Sequence, residues 1–344
     1  MEAGCGRPCG GPAANGRTAI EMRRRDLLLL LSALHAQARS AALPRVECIA
    51  PAKPGGGFDL TCRLLGEMLR LPLPHPVADV DVKYLPGGIG ALAFDRAVSQ
   101  RWSDPRSFVA FSTGSLLNLA QGKFGPHGPR DVRWLATLGT EYGAIAVRKD
   151  SPIQSLAGLR HMLRRNPAAA VFGAGGTVGS QDWVKAALLV KAAGGDHRAM
   201  RFVAFEGGGQ ALAALKGGHV DVFCGDMLEA SEAMGGGELK LIAVLAPQRL
   251  GGRFATVPTA REQGIDLVWS TVRGLYMGPA VPDRDHAEWT RTLRRIMQRP
   301  EYGQLLAKYG LQPHPLAGPE LDAYVGAQVA HFAGLARSLH LRVR

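Results

Sequence analysis

Aromatic residues make up only 6% of this 344-residue chain. That is too few to pave a base-stacking surface, and no basic helix or aromatic–basic motif occurs, so nucleic acid is not an expected partner. Neither the phosphate-loop pattern G-x-x-x-x-G-K-S/T nor the nucleophile elbow G-x-S-x-G is present, which removes the commonest nucleotide and serine-hydrolase signatures. The ten histidines show no H-x-x-x-H or similar spacing and none accompanies a C-x-x-C, so no metal site is expected. Asp59, Asp182, Asp221 and Asp226 are candidate general acids, yet Asp59 and Asp182 are accounted for by helix N-termini. No nucleophile–base pair stands out. No catalytic residue and no cofactor are therefore expected.

Long apolar runs are also missing. The best is Leu27–Leu31 with Ser32, Ala33 and Leu34, too short to span a bilayer. Preceded by Met22-Arg23-Arg24-Arg25 and followed by Ala36-Gln37-Ala38, it reads as an export signal, Met22–Ala42, removed on export. Arg24-Arg25-x-Leu27-Leu28 resembles a twin-arginine signal, and Met22 is the expected initiator. No cysteine ends the apolar stretch, which argues against a lipid anchor. A periplasmic location and a monomeric protein are expected. Six arginines against three acids in residues 1–43 account for +3 of the net +12, which leaves +9 scattered over the remainder. Such a surface is solvated, with a mild pull on anions.

Cysteines are few, at five. Cys5 and Cys9 fall in the leader. Cys48 lies in the first strand and Cys62 early in the helix that follows. A strand rises ~3.3 Å per residue, which sets the pair roughly 10 Å apart and predicts free, buried thiols.

What the chain does have is apolar segments and glycine. Hydrophobic residues make up 46% and charged residues 20%, enough for a packed core, and the length suggests two domains. The pattern strand, glycine- or serine-rich loop, helix recurs: Val46–Ala50 with Pro54-Gly55-Gly56-Gly57, Val80–Leu85 with Gly87-Gly88-Ile89-Gly90, and Phe108–Phe111 with Ser112-Thr113-Gly114-Ser115. Val132–Leu138 and Gly143–Val147 read as two strands. A second section repeats the pattern with Gly173–Ser180 and with Glu206-Gly207-Gly208-Gly209. Alternation of this kind predicts a parallel sheet covered on both faces, with loops gathered at the strand ends. The expected fold is α/β and bilobed: residues 44–143 and 246–344 form lobe 1, residues 144–245 form lobe 2, and two crossing segments make a closable cleft.

Glycine loops that open helices bring backbone N–H groups and partial positive charge to one place. In the first loop Asp59 stands where an N-cap belongs. A glycine turn that merely joins strand to helix would look the same. Ser112, Thr113 and Ser115 supply hydroxyls beside it, and Ser180 is a natural N-cap in the second section. Two or three carboxylates held by such groups, at roughly 1.5–3 kcal/mol for each hydrogen bond to charge, suffice for micromolar binding. The rival reading is an exported α/β enzyme acting on a small carboxylate.

The chain resembles the Bug receptors, the substrate-binding proteins of tripartite tricarboxylate transporters. Pro54-Gly55-Gly56-Gly57-Phe58-Asp59-x-x-x-Arg63 matches their signature with one extra glycine. Gly173–Ser180, Phe205-Glu206-Gly207-Gly208, Gly217-Gly218-His219-Val220-Asp221-Val222 and Val257-Pro258-Thr259 match further motifs. Ser115-Leu116-Leu117-Asn118-Leu119 and Gly179-Ser180-Gln181-Asp182-Trp183 resemble the tricarboxylate (citrate) branch. The resemblance implies a type II periplasmic binding fold, a small carboxylate ligand, and membrane components of the transporter as partners. It assigns ligand contact to Gly55, Gly56, Phe58 and Asp59, and to Thr177, Ser180, Gln181, Gly207 and Gly208. Two positions depart from the family pattern. Glu206 stands where a basic residue is common, and Arg273 where an aromatic is. Arg273 is expected either to supply a cation for an additional carboxylate or to be a surface residue.

Overall fold

The computed structural model describes residues 45–71 and 79–343. The export segment Met22–Ala42 and Cys5 and Cys9 lie outside them. Among the described residues the chain runs β1 (Val46–Ala50), α1 (Gly57–Leu69), β2 (Val80–Tyr84), α2 (Ala91–Ser99), β3 (Ser107–Ser112) and α3 (Thr113–Ala120). It continues through β4 (Arg133–Arg148), α4 (Leu156–Arg165), β5 (Val171–Gly175), α5 (Gln181–Ala192), β6 (Arg201–Phe205) and α6 (Gly208–Lys216). β7 (Val222–Asp226), α7 (Met227–Ala233), β8 (Leu239–Val244) and β9 (Ser270–Met277) follow. Three helices close it: α8 (Asp283–Met297), α9 (Pro300–Tyr309) and α10 (Pro319–Ser338).

Local chemistry accounts for most of these boundaries. Helix α4 buries Leu156, Leu159 and Leu163 at helical spacing, and the Ser155 hydroxyl caps it by accepting from Gly158 N at 3.1 Å. It stops at Asn166, before Pro167, as the steric limits of the residue preceding proline require. Helix α9 starts on Pro300 and ends at Gly310, whose φ of +74° only glycine adopts readily.

The strands form one sheet in the order β2-β1-β3-β9-β4-β7-β5-β6, with β8 also on β4. The expectation of a parallel sheet needs correction. β1 pairs in parallel with β2 and β3, and β5 with β6 and β7. β9, by contrast, lies antiparallel between β3 and β4, and β4 is antiparallel to β7 and β8. The two strands expected over 132–147 are one, β4. Its first ten residues pair with β9 and its last six with β7 and β8. At the changeover Gly143 N donates to Trp269 O, Leu245 N to Gly143 O and Trp269 N to Leu245 O, at 2.7–3.0 Å. A Cβ on Gly143 would press on Leu245, so the three segments meet this closely only with glycine there.

Cys48 and Cys62 form a disulfide, with Cα atoms 5.5 Å apart, against the expectation of free thiols. The helix begins at Gly57, earlier than expected, with Gly56 as its N-cap, so Asp59 sits inside the first turn. The strand runs only two residues past Cys48, about 7 Å at ~3.3 Å each. The helix returns a similar distance over five residues at ~1.5 Å each. The two thiols therefore end side by side. Cys224, the remaining cysteine among the described residues, is free and buried, as expected.

Val46, Cys48 and Ala50 pack with Leu64, Leu65 and Met68 of α1 and with Phe108 and Ala110 of β3, all buried. Each such leucine or methionine contributes roughly 1.5–3 kcal/mol. This face and the disulfide together hold α1, and hence the first glycine loop, in place. Replacing both Cys48 and Cys62 by alanine is expected to lower stability by about 3 kcal/mol, the value for a closed loop near 15 residues. Urea denaturation of the two proteins checks it; a loss below about 1 kcal/mol would assign the docking of α1 to the core alone.

Candidate functional site

β1 and β3 on one side, and β5, β6 and β7 on the other, point their carboxyl ends at one another. The helices that follow, α1, α3, α5, α6 and α7, start there. Between them lies an inner chamber of about 40 Å³, lined by the first residues of α1, α3, α5 and α6. An outer chamber of about 350 Å³ adjoins it and shares Ile89, Asn118, Ser180 and Glu206 with it. A water needs roughly 10–15 Å³ on this measure, so the inner chamber has room for about three, close to one carboxylate group.

Of the residues expected to contact ligand, Gly56, Phe58, Ser112, Ser180, Gln181, Gly207, Gly208 and Arg273 line the inner chamber. Thr177 lines the outer one. Four others line neither and serve as framework. Gly55 N donates to Asp59 Oδ2 at 2.7 Å. Asp59 is buried and also accepts from Arg63 Nη2 at 2.6 Å and from the Tyr84 hydroxyl at 3.0 Å, so it shapes the loop from behind. Thr113 Oγ1 accepts from Val272 N at 2.9 Å, and Ser115 Oγ accepts from Ser112 N at 3.2 Å in a capping box. Ser180 is the N-cap of α5, as expected: its hydroxyl accepts from Trp183 N at 3.3 Å and donates to Gly175 O at 2.9 Å.

Arg273 is buried, which excludes the surface alternative. Its Nε donates to Glu141 Oε1 at 2.5 Å and its Nη2 to Asp226 Oδ2 at 2.9 Å. Asp226 also accepts from Lys185 Nζ at 2.6 Å, Gln181 Nε2 at 2.6 Å and Thr271 Oγ1 at 3.0 Å. Lys185 in turn meets Asp182 Oδ1 at 2.8 Å. Glu141 accepts from Leu228 N as well. A chain of alternating charge, Glu141–Arg273–Asp226–Lys185–Asp182, thus runs beneath the chamber, from β4 and β9 to β7 and α5.

Burial pushes Glu141 up to about 7 against the pull of Arg273. Burial also raises Asp182, and Lys185 only partly offsets it. For Asp226 burial acts upward too, but Lys185 and Arg273 together win and hold it below the usual range. Lys185 itself is raised, because Asp182 and Asp226 overcome the cost of burying its charge.

Sequence reasoning missed Glu229, Lys185, Glu141 and the ionic role of Asp226. Glu229, on α7, reaches into the inner chamber, and its Oε1 accepts from Gly57 N at 2.5 Å. Burial pushes it up to about 8, against the pull of Arg273. The signal available was its place three residues after Asp226, just past a βαβ unit. Two glycines of the loops make room for these side chains. A Cβ on Gly57 would run into the Arg273 guanidinium, and one on Gly208 into Glu229 Oε2. Across the outer chamber Gln121 Nε2 donates to Gly179 O at 2.7 Å and Lys123 Nζ to Val178 O at 2.8 Å, tying the end of α3 to the loop before α5. No cluster of metal-ligating side chains occurs among the described residues.

Residues 123–341 match the family described as tripartite tricarboxylate transporter family receptor. Protein BugT of Bordetella pertussis is 22% identical over 87% of this chain and 90% of its own length. The solved structure of MatC from Rhodopseudomonas palustris with bound malate is 23% identical and covers 85% of this chain and 98% of its own, with a TM-score of 0.71. An R. palustris protein solved with adipate is 19% identical, covers 87% and 98%, and has a TM-score of 0.76. The fold is the α/β type II periplasmic binding fold expected from the sequence. The matched family consists of solute receptors, not enzymes.

Proposed function

The chain belongs to the tripartite tricarboxylate transporter receptor family, and from that premise we propose that it is a periplasmic receptor that closes on a di- or tricarboxylate and delivers it to the membrane components of such a transporter. The observation that carries this reading is the convergence of four helix starts, those of α1, α3, α5 and α6, on one small chamber. Each helix start contributes ~0.3–1 kcal/mol toward an anion, up to ~2 where partly buried. Each hydrogen bond to a charged group adds roughly 1.5–3 kcal/mol. Gly56, Ser112, Ser180, Gly207 and the free face of Arg273 are the groups we assign to the first carboxylate. The rest of the acid extends into the outer chamber toward Thr177 and Lys123.

Malate and adipate, bound by two proteins of the same fold, carry carboxylates at both ends of a chain, an arrangement that suits this pair of chambers. Citrate, which the sequence motifs favour, places a third carboxylate in the outer chamber. We take residues 44–143 with 246–344, and 144–245, as the two lobes that close, acting as a monomer. No helix among the described residues is long and apolar enough to cross a membrane.

A thermal-denaturation series with malate, adipate, succinate and citrate tests the proposal. At 100 times the dissociation constant the binding acid adds about 2.7 kcal/mol, a rise of a few degrees in a chain this long. If none of the four shifts the transition, the carboxylate reading is rejected.

A further inference from the structure

We propose that Glu229 is a specificity-determining residue that meets the ligand as a neutral acid, its Oε2–H donating to a ligand carboxylate, so that the site takes up a proton together with the anion. The proposal rests on the carboxylate reading above.

The geometry begins with the two oxygens of Glu229. Oε1 accepts the Gly57 N–H, so it is not the protonated one. Oε2 has no hydrogen-bond partner among the described residues; it lies over Gly208, in the chamber wall. A side chain at Gly208 would displace it. The cations nearby are already engaged. Arg273, on β9, holds Glu141 of β4 and Asp226 at the end of β7, and Lys185 holds Asp226 and Asp182 on α5.

Among the described residues, the cations on the other elements packed on α7 are bonded elsewhere or, like Lys308 of α9, exposed at a separate surface pocket. On α1, Arg63 pairs with Asp59. On α6, Lys216 pairs with Glu238. On β8, Lys240 is bonded to Gln154. On α9, the hydroxyls of Tyr302 and Tyr309 are bonded to Leu138 O and Glu67. Glu206, from the loop before α6, adds a further acid to the chamber.

With Glu141, Asp226 and Asp182 already sharing two cations, a fourth negative charge on Glu229 has no counter-ion. Like charges that share a low-dielectric site keep a proton on one of them. Burial raising Glu229 to about 8 accords with this. A ligand carboxylate arriving at Oε2 adds one more negative charge and locks that proton in place. The acid becomes a donor aimed at the anion, as a neutral carboxyl in an apolar site does elsewhere.

The test is calorimetry of malate and adipate binding at pH 7, 8 and 9, each in two buffers of different protonation enthalpy. Both acids are fully ionised over that range. Proton uptake is expected to be small at pH 7 and to approach one per ligand at pH 9, with affinity falling about tenfold per unit above pH 8. Glu229→Gln keeps a donor at every pH, so its affinity stays flat and uptake vanishes. Glu141 and Asp182, both raised by burial, and Lys123, lowered by burial and facing the outer chamber, are the other groups that can gain a proton. Uptake per bound ligand therefore has to vanish in Glu229→Gln and to persist in Lys123→Met measured at acid concentrations that saturate that variant, a readout that holds even if Glu229→Gln does not fold. Binding without uptake, uptake that survives in Glu229→Gln, or uptake lost in Lys123→Met overturns the proposal and leaves the receptor reading standing. Absence of binding by either acid at every pH overturns both.

Discussion

Replacing Lys185 by methionine is expected to destabilise the protein by about 3–5 kcal/mol at neutral pH, the usual result of removing one partner from a buried ionic set. The side chain is fully buried on α5, and methionine fills nearly the same volume, so packing changes little. What changes is charge. Asp182 keeps only the Gly175 N–H at 3.0 Å, and Asp226 is left with Arg273, Gln181 and Thr271. Asp182, already raised by burial, then takes a proton, so part of the loss should be recovered at mildly acid pH. For a chain this long the transition falls by roughly 5–10 °C. The measurement is urea denaturation at pH 5.5 and 7.5. A loss below about 1 kcal/mol at both values would show that the ionic chain breaks even against an apolar replacement, as buried pairs sometimes do.

Lys185 also marks the limit of what the sequence shows. Between Val184 and Ala186 it reads as any solvated lysine in a helix, and only Asp182 one turn earlier hints at a partner. The larger part of its environment, Asp226 and Gly225 O, comes from a strand some forty residues on. Local chemistry was legible in most places, though not at the start of α1, where Asp59 lies inside the first turn and not at the cap. Ser112, Ser155 and Ser180 cap the helices they precede, and α4, α6 and α9 start or stop where glycine and proline require. Non-local pairing was not. Nothing within β9 announces that it inserts antiparallel between β3 and β4, because its apolar run suits either direction.

The same division runs through the site. The glycine loops were found because loop composition is a local property. Their purpose was only half seen: Gly57 and Gly208 make room for Arg273 and Glu229 of the chain itself, not solely for a ligand. Glu229 sits on a seven-residue helix with too little periodicity to be noticed. The disulfide was missed for a geometric reason. The reversal of direction at Gly55–Gly56 brings Cys62 back beside Cys48, whereas a distance counted along the chain axis only grows.

Stability itself should depend on Glu229, in a direction the burial of the group dictates. Its carboxyl is raised from an ordinary 4.5 to about 8 in the folded protein. Between those values the folded chain holds a proton that the unfolded chain has lost. The contribution is therefore complete below about pH 4.5 and falls as pH rises through 8, by about 1.4 kcal/mol per unit. Glu141, raised to about 7, and Asp182 act in the same direction. His286 and His314, both lowered by burial, act oppositely below about pH 6.5, where the unfolded chain binds protons that they refuse. The comparison that isolates Glu229 is wild type against Glu229→Gln, which removes one titration and keeps the others. The glutamine protein is expected to gain about 4 kcal/mol relative to wild type between pH 5 and pH 8, read from denaturant midpoints at half-unit steps. A difference that stays constant over that span would mean that Glu229 is ionised in the folded protein and paired with Arg273. The chamber would then present a carboxylate, not a donor, and an incoming acid would have to bind against it.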